Sequence, residues 1–449
     1  MDRTRLQQLL ARESAEAERR NPRSRAAYER ADHLFGRVPM TWMNKTAGAF
    51  PRYLDTARGA RVTDIDGHEY VDFCLGDTGA MAGHSPAVVA EAVQARFAES
   101  GGATAMLPTE EAEWVGAELT RRFGLARWSF ALTATDANRW SIRLARAVTG
   151  RPKILVNSYS YHGSVDESLI VVGPDGQGAA RPGNVGAPCD VTLTSRVAEF
   201  NDLAQLEREL AHEDVAAVLM EPALTNIGIV LPEPGYLEGV RELTRRFGTL
   251  LINDETHTFS AGPGGCTAAW NLEPDMLTIG KAIGGGIPAG AYGLSADLAE
   301  RLLGRADLDL IDMGGVGGTL AGNALSVAAM RATLEHVLTD GAFTAMAKLS
   351  ERFETGVRAS IEKWRLPWSV SRLGARTEYR FADPAPRTGT ASAVAADTEL
   401  EDFLHLYLAN RGILLTPFHN MALMCPDTTE RDVDLHTEVF AGALAELVG

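Results

Sequence analysis

The sequence predicts an α/β protein: a large domain with a mostly parallel central sheet, and a second, smaller α+β domain. Three observations carry this expectation. Between about residues 75 and 335, short apolar runs alternate with helical stretches. A hairpin signal precedes that region, and a long amphipathic helix with short strands follows it.

In chain order, Leu6, Leu9 and Leu10 followed by charged residues read as an amphipathic helix. ARVTDIDGHEYVDFC then alternates strand-like residues around Asp66-Gly67, as a hairpin does. Asp64, Asp66 and Gly67 loosely resemble a calcium loop, but the other ligands of such a loop are missing, so a turn is the better reading. WSFALTA, PKILVNSYS, VAAVLMEP, TLLINDE and DMLTIGK are strand-like, and NRWSIRLARAVTG and YLEGVRELTRRFG among them are helical. Strand, helix, strand at this spacing implies crossover connections and parallel pairing. From about Leu334 the chain turns to a long amphipathic helix, the short strands EYRFA and GILLT, and a terminal helix ending in LAELVG. ADPAPRTGTASAVAAD, residues 382–397, reads as a mobile connection. The expected division is residues 1–74 joining the small domain, 75–335 as the large domain and 336–449 as the small domain.

At 449 residues the chain exceeds the size of one hydrophobic core. A formal charge of −16 argues against nucleic acid as a partner, since phosphate binding needs a basic face. The four cysteines are far apart and form no CxxC, which points to free thiols rather than a zinc knuckle or disulfide framework. No stretch approaches a signal peptide or a membrane span, and a cytoplasmic location is expected.

In open parallel sheets ligands collect at the carboxyl ends of strands. There TLLIN delivers Asp254, LTIG delivers Lys281, ILVNS leads into Tyr161-His162-Gly163, and WSFAL leads into TATDAN. Thr133 and Asp136 have capping-box spacing, so a helix start with free N–H groups, suited to phosphate, is expected. Singly, Asp254 could cap a turn and Lys281 could be a surface residue. Together, a carboxylate, an amine, an aromatic ring and a phosphate cradle are the parts that pyridoxal phosphate requires. Asp254 would keep the pyridine nitrogen protonated, Lys281 would form the Schiff base and carry a proton, and Tyr161 would stack on the ring. A metal reading of DETHT fails on spacing, since Glu255 and His257 are two apart and the HExxH pattern is missing.

These residues resemble the class III aminotransferases of the fold-type I pyridoxal-phosphate enzymes, in the branch around glutamate-1-semialdehyde aminomutase. TATDAN stands where the family has SGTEAN, YHGS matches, LLINDETHT resembles the strand ending in Asp-Glu, and TIGKAIGGGIPAGAYG matches the lysine loop. EPALTNIGIVLPEPGYLEGVREL and GGTLAGNALSVAAM are similar to further family segments. The resemblance implies a homodimer with Lys281 as the modified lysine, Asp254 on the pyridine nitrogen and Thr256 against the ring. It also implies Ala134 and Thr135 on the phosphate, Thr319 reaching the partner's cofactor, and Asn226 and Tyr161 among the cofactor contacts.

Departures shape the expected activity. Trp42 and Met421 stand where the mutase carries its carboxylate-binding Arg and its active-site Glu, and Ala134 replaces a usual Gly. Arg376 and Arg380 are candidates for recognising an acid. Trp42, Tyr161, Phe418 and Met421 would form an apolar pocket if they converge, with His162 a further substrate contact. The resulting expectation is a ping-pong aminotransferase taking an amine donor and a carbonyl acceptor, with a bulky hydrophobic substrate. The alternatives are an intramolecular aminomutase or racemase on the same scaffold, or a non-catalytic relative. His257 falls where relatives carry an apolar residue and is expected to support the site through hydrogen bonding.

Overall fold

The computed structural model describes residues 2–186 and 189–449. It divides into two units, of which the larger comprises Ala87–Phe343 and Pro386–Val394.

The larger unit is built on a seven-stranded sheet: β1 (Arg127–Ala131), β2 (Lys153–Asn157), β3 (Ser195–Ala198), β4 (Val215–Met220), β5 (Leu250–Asp254), β6 (Met276–Ile279) and β7 (Gly290–Leu294). Their spatial order is β1-β7-β6-β5-β4-β2-β3. All neighbouring pairs are parallel except those of β7, which runs opposite to β6 and β1. Every residue of β4, β5 and β6 is buried, as near-continuous apolar strands covered on both faces require. Alternation sorts the core into two layers. Ile154, Val156, Leu219 and Ile252 face one way, packed with Trp140 and Leu144 of helix α1 (Ala134–Thr149). Leu155, Val218, Met220 and Leu251 face the other, packed with Val240 and Leu243 of helix α2 (Tyr236–Arg246).

The smaller unit comprises Met1–Pro86, Thr344–Ala385 and Ala395–Gly449. Strands Leu54–Arg58, Arg61–Asp64 and Glu69–Asp72 form a meander extended by Ile413–Leu414, which runs parallel to the third. The turn at Asp66-Gly67 is held by Asp64, whose carboxylate accepts the Asp66 and His68 N–H groups and the Tyr70 hydroxyl at 2.7–3.0 Å. A second, antiparallel sheet is made of Ser369–Leu373, Arg376–Arg380 and Met421–Leu423.

One expectation changes here. Part of the connection read as mobile is pinned to the larger unit: Arg387 pairs with Glu233, the Thr390 hydroxyl donates to Glu199, and the Ser392 hydroxyl donates to the Ile227 carbonyl. Gly389 sits so close that a Cβ there would lie 2.0 Å from the Ser158 carbonyl oxygen. Small residues in this stretch serve close packing as well as chain freedom.

Candidate active site

Parallel pairing brings the carboxyl ends of β2, β4, β5 and β6 to one rim, and β7, running opposite, adds its first residue, Gly290. Asp254 ends β5 there and is buried. Its Oδ2 accepts from Asn138 Nδ2 and bonds His162 Nδ1, both at 2.9 Å, while Oδ1 accepts the Thr256 N–H at 3.0 Å. Asn138 is itself oriented, since its Oδ1 accepts from the Thr278 hydroxyl at 2.7 Å and its Nδ2 also donates to the His162 carbonyl. Burial opposes ionisation of Asp254, but the hydrogen bond and charge of His162, with the Asn138 amide, outweigh it and hold the carboxyl below its ordinary range.

The amino end of α1 faces the same rim. Thr133 caps it, its hydroxyl oxygen accepting the Asp136 N–H at 3.1 Å. The remaining first-turn N–H groups, Ala134 and Thr135 among them, have no acceptor within the helix, which suits an anion. Two glycines let neighbouring backbone close on this turn. A Cβ on Gly163 would lie 1.9 Å from Thr135 Oγ1, and one on Gly280 would lie 2.9 Å from the Ala134 nitrogen.

Lys281 follows β6 after the single residue Gly280, in a left-handed backbone conformation at φ 51°. Its Nζ lies 2.8 Å from Nε2 of the buried His257. The loop carrying His257 is braced by Glu255, whose oxygens accept from the Thr258 hydroxyl, the Cys266 and Thr267 N–H groups and the Thr267 hydroxyl at 2.5–3.1 Å. Burial pushes the Glu255 carboxyl up.

The structure thus gathers Asp254, Thr256, His162, Lys281, Ala134 and Thr135 in one unit at one end of the sheet. Tyr161, 39% exposed, is held by its N–H on Glu221 Oε1 at 3.2 Å. Asn226 is half-buried in the turn bracketed by the Leu224–Val230 bridge, and Thr319 is exposed on a turn of the single chain. In the smaller unit Trp42 meets Phe418 edge-on at 5.6 Å, while Met421 is buried in the strand opposite Glu378. Arg376, a candidate for recognising an acid, is fully buried and donates to the Thr78 hydroxyl. His162, expected as a substrate contact, is buried with its Nδ1 on Asp254. Sequence reasoning missed Asn138, Thr278 and Glu221. A polar residue on the buried face of α1, between Ala137 and Ser141, was the available signal for Asn138.

These residues fit pyridoxal phosphate. An ionised carboxylate, an amine and a helix start converge, and the Thr256 hydroxyl and His162 Nε2 are buried without a hydrogen-bond partner among the described residues.

Residues 42–443 match the model of the class-III aminotransferases. The chain is 34% identical over 411 residues to the glutamate-1-semialdehyde 2,1-aminomutase of Desulfitobacterium hafniense, covering 90% of this chain and 93% of that one. The crystal structure of a glutamate-1-semialdehyde aminomutase from Pseudomonas aeruginosa PAO1 superposes with a TM-score of 0.96 at 49% identity, covering 100% and 99% of the two chains. A β-phenylalanine aminotransferase from Variovorax paradoxus superposes at 0.85 with 26% identity, covering 97% of each. The expectation of a ping-pong aminotransferase with a hydrophobic substrate is overturned by this ranking, which favours the intramolecular alternative. Trp42 and Phe418 do meet, but two touching rings do not define what amine is bound. The fold is that of the fold-type I transferases, and no helix among the described residues is long and apolar enough to cross a membrane. The chain belongs to the class-III aminotransferases, and its cofactor is pyridoxal phosphate.

Proposed function

We propose that this protein is an aminomutase that moves the amino group of glutamate 1-semialdehyde from carbon 2 to carbon 1 within one substrate. The observation that carries this reading is the full-length match, at 49% identity and a TM-score of 0.96, to an enzyme of that name. Pyridoxal phosphate, when bound, supplies an electrophilic carbon for amines and a ring that withdraws electrons. The chain's own residues have the following parts. Asp254, held ionised by His162 and Asn138, keeps a proton on the ring nitrogen. Lys281 binds the cofactor and, when released, moves a proton at the substrate carbon. Ala134 and Thr135 hold the phosphate through backbone N–H groups, with Thr256 and Tyr161 on the ring faces. A homodimer in which Thr319 reaches the partner's cofactor belongs to the same reading.

Intramolecular transfer needs no second carbonyl compound. Glutamate 1-semialdehyde supplied alone to the cofactor-loaded enzyme is expected to convert fully to the isomer bearing nitrogen on carbon 1, followed by chromatography. Turnover that requires a stoichiometric keto acid, or an added amine donor, overturns the proposal.

A further inference from the structure

A lysine amine is a nucleophile only when it carries a free electron pair, and an ordinary lysine is protonated near neutral pH. Lys281 therefore needs somewhere to send a proton before it can bond to a carbonyl carbon. The structure places a basic ring nitrogen in contact with it: Nε2 of His257, 2.8 Å from Nζ. A hydrogen bond of that length requires one nitrogen to donate and the other to accept, so the two bases share a proton along this line.

The backbone that carries the imidazole is also held in place. Its residue is buried, and its carbonyl accepts the Ser260 N–H at 3.2 Å. Residues on either side are anchored too: the Thr256 N–H donates to Asp254, and the Thr258 hydroxyl to Glu255. The Phe259 N–H closes the loop onto the Glu255 carbonyl at 2.8 Å. A side chain carried on so braced a loop, with its ring nitrogen 2.8 Å from the amine, is suited to proton transfer, where geometry comes before acidity.

We propose that His257 is the proton partner of Lys281, accepting the ammonium proton when the lysine captures the cofactor and returning it as the bond is completed. The bookkeeping balances without any redox change. The Lys281 ammonium gives one proton to His257, and the freed electron pair forms the nitrogen–carbon bond to the cofactor's aldehyde. The aldehyde oxygen leaves as water, with one proton from the amine and one from His257. This inference rests on Lys281 being the residue that binds the cofactor.

The test is the rate at which cofactor-free enzyme captures pyridoxal phosphate, followed by growth of the visible band on rapid mixing. Reduction with borohydride and peptide mapping identify the residue modified. His257→Gln retains a polar side chain of similar reach but takes up no proton near neutral pH. We expect it to slow capture at least tenfold, and we expect millimolar imidazole to restore at least half of the rate lost in His257→Ala. Cofactor mapped to a residue other than Lys281 overturns the assignment of that lysine, and this inference with it. Lys281 modified, with His257→Gln capturing within twofold of the natural protein, overturns the part given to His257 alone. Slow capture in both variants with no response to imidazole assigns His257 a packing role and likewise overturns proton transfer.

Discussion

Asp254 and Glu255 are consecutive, both buried, and both ringed by hydrogen-bond donors, yet their carboxyl groups are driven in opposite directions. On the Asp254 side one donor is His162, whose charge and hydrogen bond offset the loss of water and favour the carboxylate. On the Glu255 side every partner is a neutral hydroxyl or backbone N–H, and burial wins. The comparison teaches that the number of donors alone does not decide the ionisation of these two acids; at Asp254 a charged partner in direct hydrogen-bond contact tips the balance. One side of the strand end is thus suited to hold a cation on a cofactor, and the other to lock a loop.

Asp254→Asn tests the cofactor side and has the largest expected effect. With no charge to hold a proton on the ring nitrogen, turnover should fall about a thousandfold, measured as kcat/KM, an effect larger than the variant's cost in unfolding. Glu255→Gln should reverse that pattern. Its amide group meets donors on all sides, so about 2 kcal/mol of stability is lost in denaturant unfolding, with turnover much less affected. The pH dependences should also be opposite. Stability contributed by Asp254 is complete above its ordinary value of 3.8 and is lost as pH falls through its depressed folded value. Glu255, raised above 4.5, makes the folded protein less stable as pH rises from that value, so the cost of Glu255→Gln should shrink over the same interval. A cost that grows with pH would show that Glu255 is ionised in the folded chain. The smallest effect is expected for Thr267→Val, which removes one hydroxyl donor from Glu255 and should cost about 1 kcal/mol in unfolding.

The strands that end in Asp254 and precede Lys281 were legible because fully buried parallel strands leave continuous apolar runs, and a charged residue closing such a run stands out. Asn138 left no comparable mark. Its amide becomes a positioning group only because β6 lies beside β5, which sets Thr278 on one side of it and Asp254 on the other. His162 and Tyr161 adjoin in sequence, yet the turn after β2 sends their side chains into different surroundings, one half exposed and one buried. The hydrophobic substrate was inferred from four aromatic and sulfur-containing side chains, Trp42, Tyr161, Phe418 and Met421, drawn from three separate parts of the sequence. The relatives contradict it, because the choice between moving nitrogen within one molecule and moving it between two is made by a few contacts around the substrate that linear position does not reveal.

By itself the sequence determined the α/β class, the family and the cofactor, since these rest on strand and helix periodicity and on short motifs that stay intact along the chain. Only the tertiary structure decided that Asp254 carries charge while Glu255 is pushed towards neutrality, and that His257 touches the amine of Lys281. Those outcomes depend on which groups lie within about 3 Å of one another through space, and residues 92 positions apart, such as His162 and Asp254, become neighbours only when the sheet is assembled.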